Sequence, residues 1–171
     1  MESIKRRLMG LCGPPLVFWL LDCTITLCGQ SAQYWAGNYA GVNEGSPTFH
    51  QLLHIHPAAF ILGSLAWAMI FIGLIILLPD TLALITCIVV TFGHTAGAGT
   101  WLLWRFHYSY QVCIGLFLVS ATLLGVGIRW GWRAAPEREY RLAAFSPLVR
   151  WTLAAMLVGV AMYLFLLPRM P

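Results

Sequence analysis

The sequence predicts an all-α integral membrane protein, a polytopic helical bundle of about five transmembrane helices. Two observations carry this prediction: charged residues make up only 9% of the 171 residues, and apolar residues make up 60%. Soluble domains carry roughly 25% charged residues, and a soluble chain of this length has too little interior to hide so much apolar surface. Because the apolar runs lack the two-residue alternation of barrel strands, helices are the expected spanning elements.

Five apolar segments have the length of roughly 20 residues that a helix needs to cross the hydrocarbon core. They are residues 8–29, 57–78, 81–103, 111–128 and 148–167. Only Pro79 and Asp80 separate the second segment from the third, which predicts a tight antiparallel hairpin. We find no internal repeat and no linker, so we expect a single transmembrane domain over residues 1–171.

The basic residues predict the orientation of the bundle. Eight of the ten Lys and Arg residues lie in residues 5–7 and 129–150, and the positive-inside rule assigns both regions to the cytoplasm. The N-terminus is then cytoplasmic and the C-terminus extracytoplasmic, as in a multi-pass protein of a prokaryotic inner membrane. This distribution is topological and not that of a nucleic-acid-binding face, so the expected partners are the lipid bilayer and other membrane protein subunits.

Residues 30–56, here called the lid segment, form the long extracytoplasmic stretch in this topology. The lid segment contains no Lys or Arg. Ser46 followed by Pro47 is typical of a helix N-cap and first turn, which predicts a short helix through about Ile55. Since a straight helix from Pro47 to Leu78 would be about 48 Å long and overshoot the bilayer, we expect the chain to bend at Pro57 and the segment to be interfacial or re-entrant.

A candidate polar site consists of Asp22, Glu44 and His94. A charged side chain near the bilayer centre costs at least about 2.5–3.5 kcal/mol, so Asp22 needs a partner or a water-filled cavity. Asp22 and His94 lie at matching depths, about 10–12 Å inside the outer ends of their spans. A hydrogen bond between them that holds two helices together is one interpretation, and a functional site is the other.

All five histidines fall in the outer half under this topology; they are His50, His54, His56, His94 and His107. His50 and His54 are four residues apart on one predicted helical face, a spacing that allows two imidazoles to bind one metal ion.

A possible metal site is therefore His50, His54, His56 and His94, although two interfacial histidines without metal give the same spacing. Haem ligation by His94 is also chemically possible without the haem-attachment motif CxxCH. The sequence does not decide whether the protein binds a metal ion, haem or no cofactor.

The stretch FGHTAGAGTW places Gly93 and Gly97 four residues apart. This spacing of small residues is typical of close helix packing in membranes, so we expect another helix to approach the third span here.

The motifs HQLLHIH and GHTAGAG are superficially similar to those of rhomboid intramembrane proteases. That family needs a Gly-x-Ser-Gly nucleophile motif, which this chain lacks. Without an activated serine near a base the acyl-transfer mechanism has no nucleophile, so we reject this likeness.

A second resemblance covers the first two spans. Asp22 with Thr26, followed by the sequence Glu44-Gly-Ser-Pro47, resembles an uncharacterised family of small prokaryotic multispan membrane proteins that carry Asp-Thr and then Glu-x-Asn-Pro. Ser46 stands in place of the Asn, and the resemblance implies no activity.

Because no complete catalytic set is visible, the sequence predicts a non-catalytic accessory subunit or assembly factor of a membrane complex. Asp22, Glu44 and His94 would then fix the bundle and the lid segment. One alternative is a membrane enzyme or redox protein with an outward-facing site of histidines and carboxylates. A second alternative is a proton-coupled transporter or ion pathway in which Asp22 and His94 relay protons.

Overall fold

A computed structural model describes residues 8–133, 147, 151–152 and 154–156. The described part of the chain is helical, and it contains four helices long and apolar enough to cross a membrane: Leu8–Cys28, Pro57–Leu77, Asp80–Arg105 and Tyr110–Gly131. The prediction of an all-helical, multi-pass membrane bundle is therefore confirmed for these four spans. Of the fifth predicted span, residues 148–167, only residues 151–152 and 154–156 are described; they are helical, and Ala154 is buried against Ile70 and Leu74.

Between residues 8 and 133 the structure contains six α-helices with short π and 3-10 turns. In chain order they are a π turn at Leu8–Cys12, α1 (Gly13–Cys28), α2 (Ala32–Trp35), a 3-10 turn at Tyr39–Gly41, α3 (Pro47–Ile55), α4 (Pro57–Leu77), α5 (Asp80–Thr100), a π turn at Trp101–Arg105 and α6 (Tyr110–Arg133). Only Leu78 and Pro79 lie between α4 and α5, so the predicted hairpin is present.

The apolar core joins all four long helices. Leu11 from the first π turn, Phe71 and Ile75 of α4, Cys87 of α5 and Leu124 of α6 are each at most 6% exposed and belong to one cluster. The outward faces are equally apolar; Leu62, Met69 and Leu118 are among the most exposed. A surface of this kind is stable in lipid and aggregates in water.

A close backbone approach in the bundle involves glycines that were not predicted from the sequence to be packing residues. A Cβ atom on Gly10 would lie 2.5 Å from the Cα atom of Gly131 and 2.6 Å from the carbonyl oxygen of Gly127. Gly127 and Gly131 have the four-residue spacing of a small-residue packing motif. The hydroxyls of Thr95 and Ser120 are both fully buried. They are 2.8 Å apart and join α5 to α6.

The lid segment folds as the sequence predicts at its C-terminal half. Helix α3 begins at Pro47 and ends at Ile55, and α4 begins at Pro57 after an extended residue, His56. Ser46 occupies the N-cap position but makes no side-chain capping bond. The carboxylate of Glu44 instead accepts a hydrogen bond of 2.7 Å from the Ser46 backbone N–H, just before the first turn of α3.

Buried side chains hold the lid segment against the bundle. Tyr34 is fully buried, and its hydroxyl donates a 3.0 Å hydrogen bond to the carbonyl oxygen of Leu53. The side-chain amide of Gln30 bonds both the N–H and the C=O of Asn43, at 2.9 and 2.8 Å. These bonds cross-link the lid segment on both sides of Glu44. A further bond from Gln30 to the Thr26 carbonyl oxygen and the packing of Tyr34 and Leu53 against Phe60 attach the segment to α1 and α4.

Candidate functional site

Asp22 of α1 and His94 of α5 form the hydrogen bond that their matching depths allow. The Nδ1 atom of His94 lies 2.8 Å from Oδ2 of Asp22, and the two side chains are 13% and 19% exposed. Both residues belong to spanning helices that pack against each other. An intramembrane carboxylate is therefore provided with a hydrogen-bond donor instead of facing lipid.

Trp67 of α4 makes the second hydrogen bond to the His94 ring. Its indole N–H donates to Nε2 of His94 over 3.1 Å. Because an indole nitrogen only donates, Nε2 must be the unprotonated acceptor, and the ring proton of neutral His94 is on Nδ1. His94 therefore donates to Asp22, and both ring nitrogens are occupied.

Gly97 provides the space for the Asp22 carboxylate. A Cβ atom at Gly97 would lie 2.7 and 2.8 Å from the two carboxylate oxygens of Asp22, closer than carbon and oxygen can approach. A Cβ atom at Gly93 would have no heavy atom within 4 Å. Gly93 therefore does not allow a close helix contact, although the sequence predicts one there. Gly97 does allow a close contact, but with the Asp22 side chain and not with a helix backbone.

A cavity of about 470 Å³ lies beside the Asp22 and His94 pair. Its wall includes Asp22 from α1, His94 from α5, Ser64 and Trp67 from α4, and Glu44 from the lid segment. The three residues of the predicted polar site therefore meet at one cavity, although they come from three distant parts of the chain.

Burial raises the pKa of Glu44 above its ordinary value, and the negative charge of Asp22 acts in the same direction. Backbone N–H groups of Ser46 and Gly45 and the nearby His50 oppose this shift. Glu44 therefore holds a proton more readily than a carboxylate in water does.

Two buried polar atoms in the cavity wall lack a hydrogen-bond partner within the described residues: the Ser64 hydroxyl oxygen and the Trp19 indole nitrogen. Ser64 is 2% exposed, and it lies beside the thiol of Cys23, which is a weak partner. A buried hydroxyl without a proper partner costs free energy, so Ser64 marks a polar surface that is suited to a ligand. No sequence pattern distinguishes Ser64 from other small residues of an apolar span.

The lid histidines do not converge on His94. His50, His54 and His56 are all exposed; Nδ1 of His50 lies 3.1 Å from the Glu44 carbonyl oxygen, and Nδ1 of His56 accepts from the Ala58 N–H, capping α4. Nowhere in the described ranges do three or more His, Cys, Asp or Glu residues gather in a way that could hold a metal ion. Metal or haem binding stays a prediction.

The arrangement is suited to hydrogen bonding and proton transfer. A carboxylate that accepts from Nδ1 holds the imidazole in one orientation and one tautomer, with Nε2 as the acceptor. Asp22 also retains acceptor capacity, because its Oδ1 atom is not used by His94 and a carboxylate has about four acceptor positions.

No protein-family model, curated protein or solved structure matches this chain.

We expect Gly97→Ala to lower the free energy of unfolding by about 1.5–3 kcal/mol, the range for a hydrogen bond to a charged group, because the methyl group displaces Asp22 from His94. Gly93→Ala is the matched control on the same helix and is expected to leave stability unchanged. Thermal unfolding of both variants in one detergent measures this. Equal destabilisation of the two variants would contradict the assigned role of Gly97.

We expect Glu44→Gln to be more stable than the parent at about pH 8 and equal to it near pH 4. Since the pKa of Glu44 is raised in the folded protein, the stabilisation from its protonation is present at low pH and is lost as the pH rises through that raised pKa. The amide oxygen of Gln preserves the bond to Ser46. Asp22, Cys23 and His50 also surround Glu44, so the measured quantity is the difference between parent and variant at each pH. A difference that grows toward low pH would contradict the prediction.

Proposed function

We propose that this chain is a multi-pass membrane protein that binds a small molecule in the cavity between α1, α4, α5 and the lid segment. The observation that carries the proposal is the convergence of Asp22, Glu44 and His94 on one cavity of about 470 Å³. This volume lies within the range of roughly 300–1,000 Å³ that is typical of small-molecule sites. A wall of mainly apolar and aromatic residues with a few polar groups is also typical of such sites.

In this proposal Asp22 and His94 form the polar centre of the site. Nε2 of His94 accepts from Trp67 and its Nδ1 donates to Oδ2 of Asp22, which leaves Oδ1 of Asp22 available to a ligand donor. This is the outward-facing site of histidine and carboxylate of the enzyme alternative. Ligand binding requires no further catalytic residue and is therefore the activity that we assign.

The membrane placement belongs to the same proposal. We place the N-terminus in the cytoplasm, a fifth span at residues 148–167 and the lid segment on the opposite side, because residues 5–7 and 129–150 contain eight of the ten Lys and Arg residues. The cavity then faces the outer side of a prokaryotic inner membrane.

A second candidate function is the non-catalytic accessory subunit or assembly factor, with other membrane protein subunits as partners. The observation that favours it is the full use of both His94 ring nitrogens, which makes Asp22, His94 and Trp67 a clamp between three helices. Under this alternative the cavity would hold no ligand specifically.

Mass spectrometry of protein extracted from its native membrane in polymer nanodiscs, with the surrounding lipid retained, distinguishes the two candidates. Gly93→Phe is the cavity-blocking variant, because Gly93 lines the cavity and a Cβ atom there meets no neighbour. Gly125→Ala, at another open position on α6 outside the cavity wall, is the control.

We expect one small molecule to accompany the parent and the Gly125→Ala protein in a ratio of about one to one and to be lost from Gly93→Phe. The same set of bound molecules in all three proteins would contradict ligand binding in the cavity and would favour the accessory role.

A further inference from the structure

The cavity wall carries two acidic residues, and the basic residue among its described members is His94, whose Nε2 accepts from Trp67 and is therefore unprotonated. Asp22 and Glu44 both line the cavity, and the described residues that form its wall include neither Lys nor Arg. The lid segment that covers it has no Lys or Arg in its sequence. The two carboxylates are close enough for the charge of Asp22 to raise the pKa of Glu44. A cationic ligand would relieve this repulsion, whereas an anionic ligand would add to it.

Ser64 provides a third oxygen at the same place. Its hydroxyl lies beside the Cys23 thiol, and Asp22, Glu44 and Ser64 all line the same cavity. They come from α1, the lid segment and α4. The Ser64 hydroxyl is 2% exposed, and apart from the Cys23 thiol, which is a weak partner, it has no hydrogen-bond partner in the described part of the protein. This group is independent of the two carboxylates and points to a ligand with N–H or O–H groups.

The remaining wall is rich in aromatic rings. Trp19, Phe49, Phe60 and Trp67 all line the cavity, and the Phe49 and Phe60 rings pack edge to face with centroids 5.7 Å apart. Aromatic rings attract cations through their negative faces, and this attraction is strongest when water is excluded. Because the Trp19 N–H is a donor, Trp19 contributes to the binding of a cation through its ring and not through its nitrogen.

We propose that the ligand carries a primary ammonium group, whose three N–H donors bind the oxygens of Asp22, Glu44 and Ser64 within the aromatic wall. This inference rests on the proposed function and specifies the ligand class. Three donors on a compact cation match three acceptors from three elements, and hydrogen bonds between charged groups are the stronger kind. A quaternary ammonium would contact the rings but has no N–H to donate to Asp22, Glu44 or Ser64.

The cavity has one edge that faces the surrounding bilayer. Val89 and Gly93 line the cavity from α5, and Val89 is 63% exposed, as Gly93 also is. A hydrocarbon chain attached to the ammonium group can leave the cavity by this edge and lie in lipid. An amine from the bilayer and a water-borne amine share the same head-group chemistry, and chain length distinguishes them.

Binding to the full-length protein in nanodiscs of neutral zwitterionic lipid, followed by tryptophan fluorescence at about pH 7.5, tests the proposal. The probes are decylammonium, decyltrimethylammonium, decanol and decanoate, with propylammonium as the short-chain probe. The variants are Glu44→Gln and Ser64→Ala, which keep the bond between Asp22 and His94. Asp80→Asn, a carboxylate change at the first turn of α5 and outside the cavity wall, is the matched control.

We expect decylammonium to bind at least about tenfold more tightly than each of the other decyl probes, the factor that about 1.4 kcal/mol represents. Glu44→Gln and Ser64→Ala should each weaken decylammonium by about tenfold without changing decanol, and Asp80→Asn should change neither. Propylammonium binding at least about tenfold weaker than decylammonium would identify the source as the bilayer, and equal binding would identify it as water; both outcomes support the ammonium assignment.

Equal affinity for decylammonium and decyltrimethylammonium would overturn the proposal, because the three oxygens would then contribute nothing. Tighter binding of decanol or decanoate would also overturn it. In either case a bound molecule that Gly93→Phe excludes would leave the proposed function intact. If none of the probes binds, and the same molecules accompany the parent and Gly93→Phe proteins, both the ammonium assignment and the proposed ligand binding are contradicted.

Discussion

The arrangement of the helices depends on one constraint: the Asp22 carboxylate, which lies within a membrane-spanning helix, needs a hydrogen-bond partner. Asp22 cannot face lipid at its depth, and the hydrogen bond of 2.8 Å to His94 provides its partner. That bond determines the packing of α1 against α5, because Gly97 must lack a side chain where the carboxylate lies. It also places the His94 proton on Nδ1, which leaves Nε2 to accept from Trp67 of α4. Three spanning helices are thereby joined through one imidazole.

The same constraint produces the cavity. The polar pair of Asp22 and His94 interrupts the apolar contact between α1, α4 and α5, and the cavity lies beside this pair. The lid segment forms the remaining wall of the cavity and contributes Glu44. Bonds from Tyr34 and Gln30 cross-link that segment, and a second bond from Gln30 attaches it to α1 at the Thr26 carbonyl oxygen. A clamp alone would need neither the buried Ser64 hydroxyl, whose neighbour is the weakly bonding Cys23 thiol, nor a second carboxylate whose pKa is raised by burial. These two features are the support for the proposed ligand binding.

Sequence reasoning was accurate where one-dimensional physics decides the outcome. Hydropathy and span length located the four described membrane helices, Ser46-Pro47 located α3, and residue depth related Asp22 to His94. The roles of Trp67, Ser64 and Gly97 depend on which faces of three helices meet, and helix rotation has no clear signal when helices are apolar on every side. The same limitation explains why Gly93 looked like a packing residue while the close contact involves Gly10, Gly127 and Gly131.

The central claim is that His94 is held between Asp22 and Trp67 as a neutral imidazole with its proton on Nδ1. Nitrogen-15 NMR of histidine-labelled protein at neutral pH, with the His94 signal assigned by its loss in His94→Gln, tests this directly. We predict a protonated Nδ1 and an unprotonated, hydrogen-bonded Nε2, and we predict that Trp67→Phe shifts the Nε2 signal. A proton on Nε2 in the parent protein, or an Nε2 signal that Trp67→Phe leaves in place, would contradict the account.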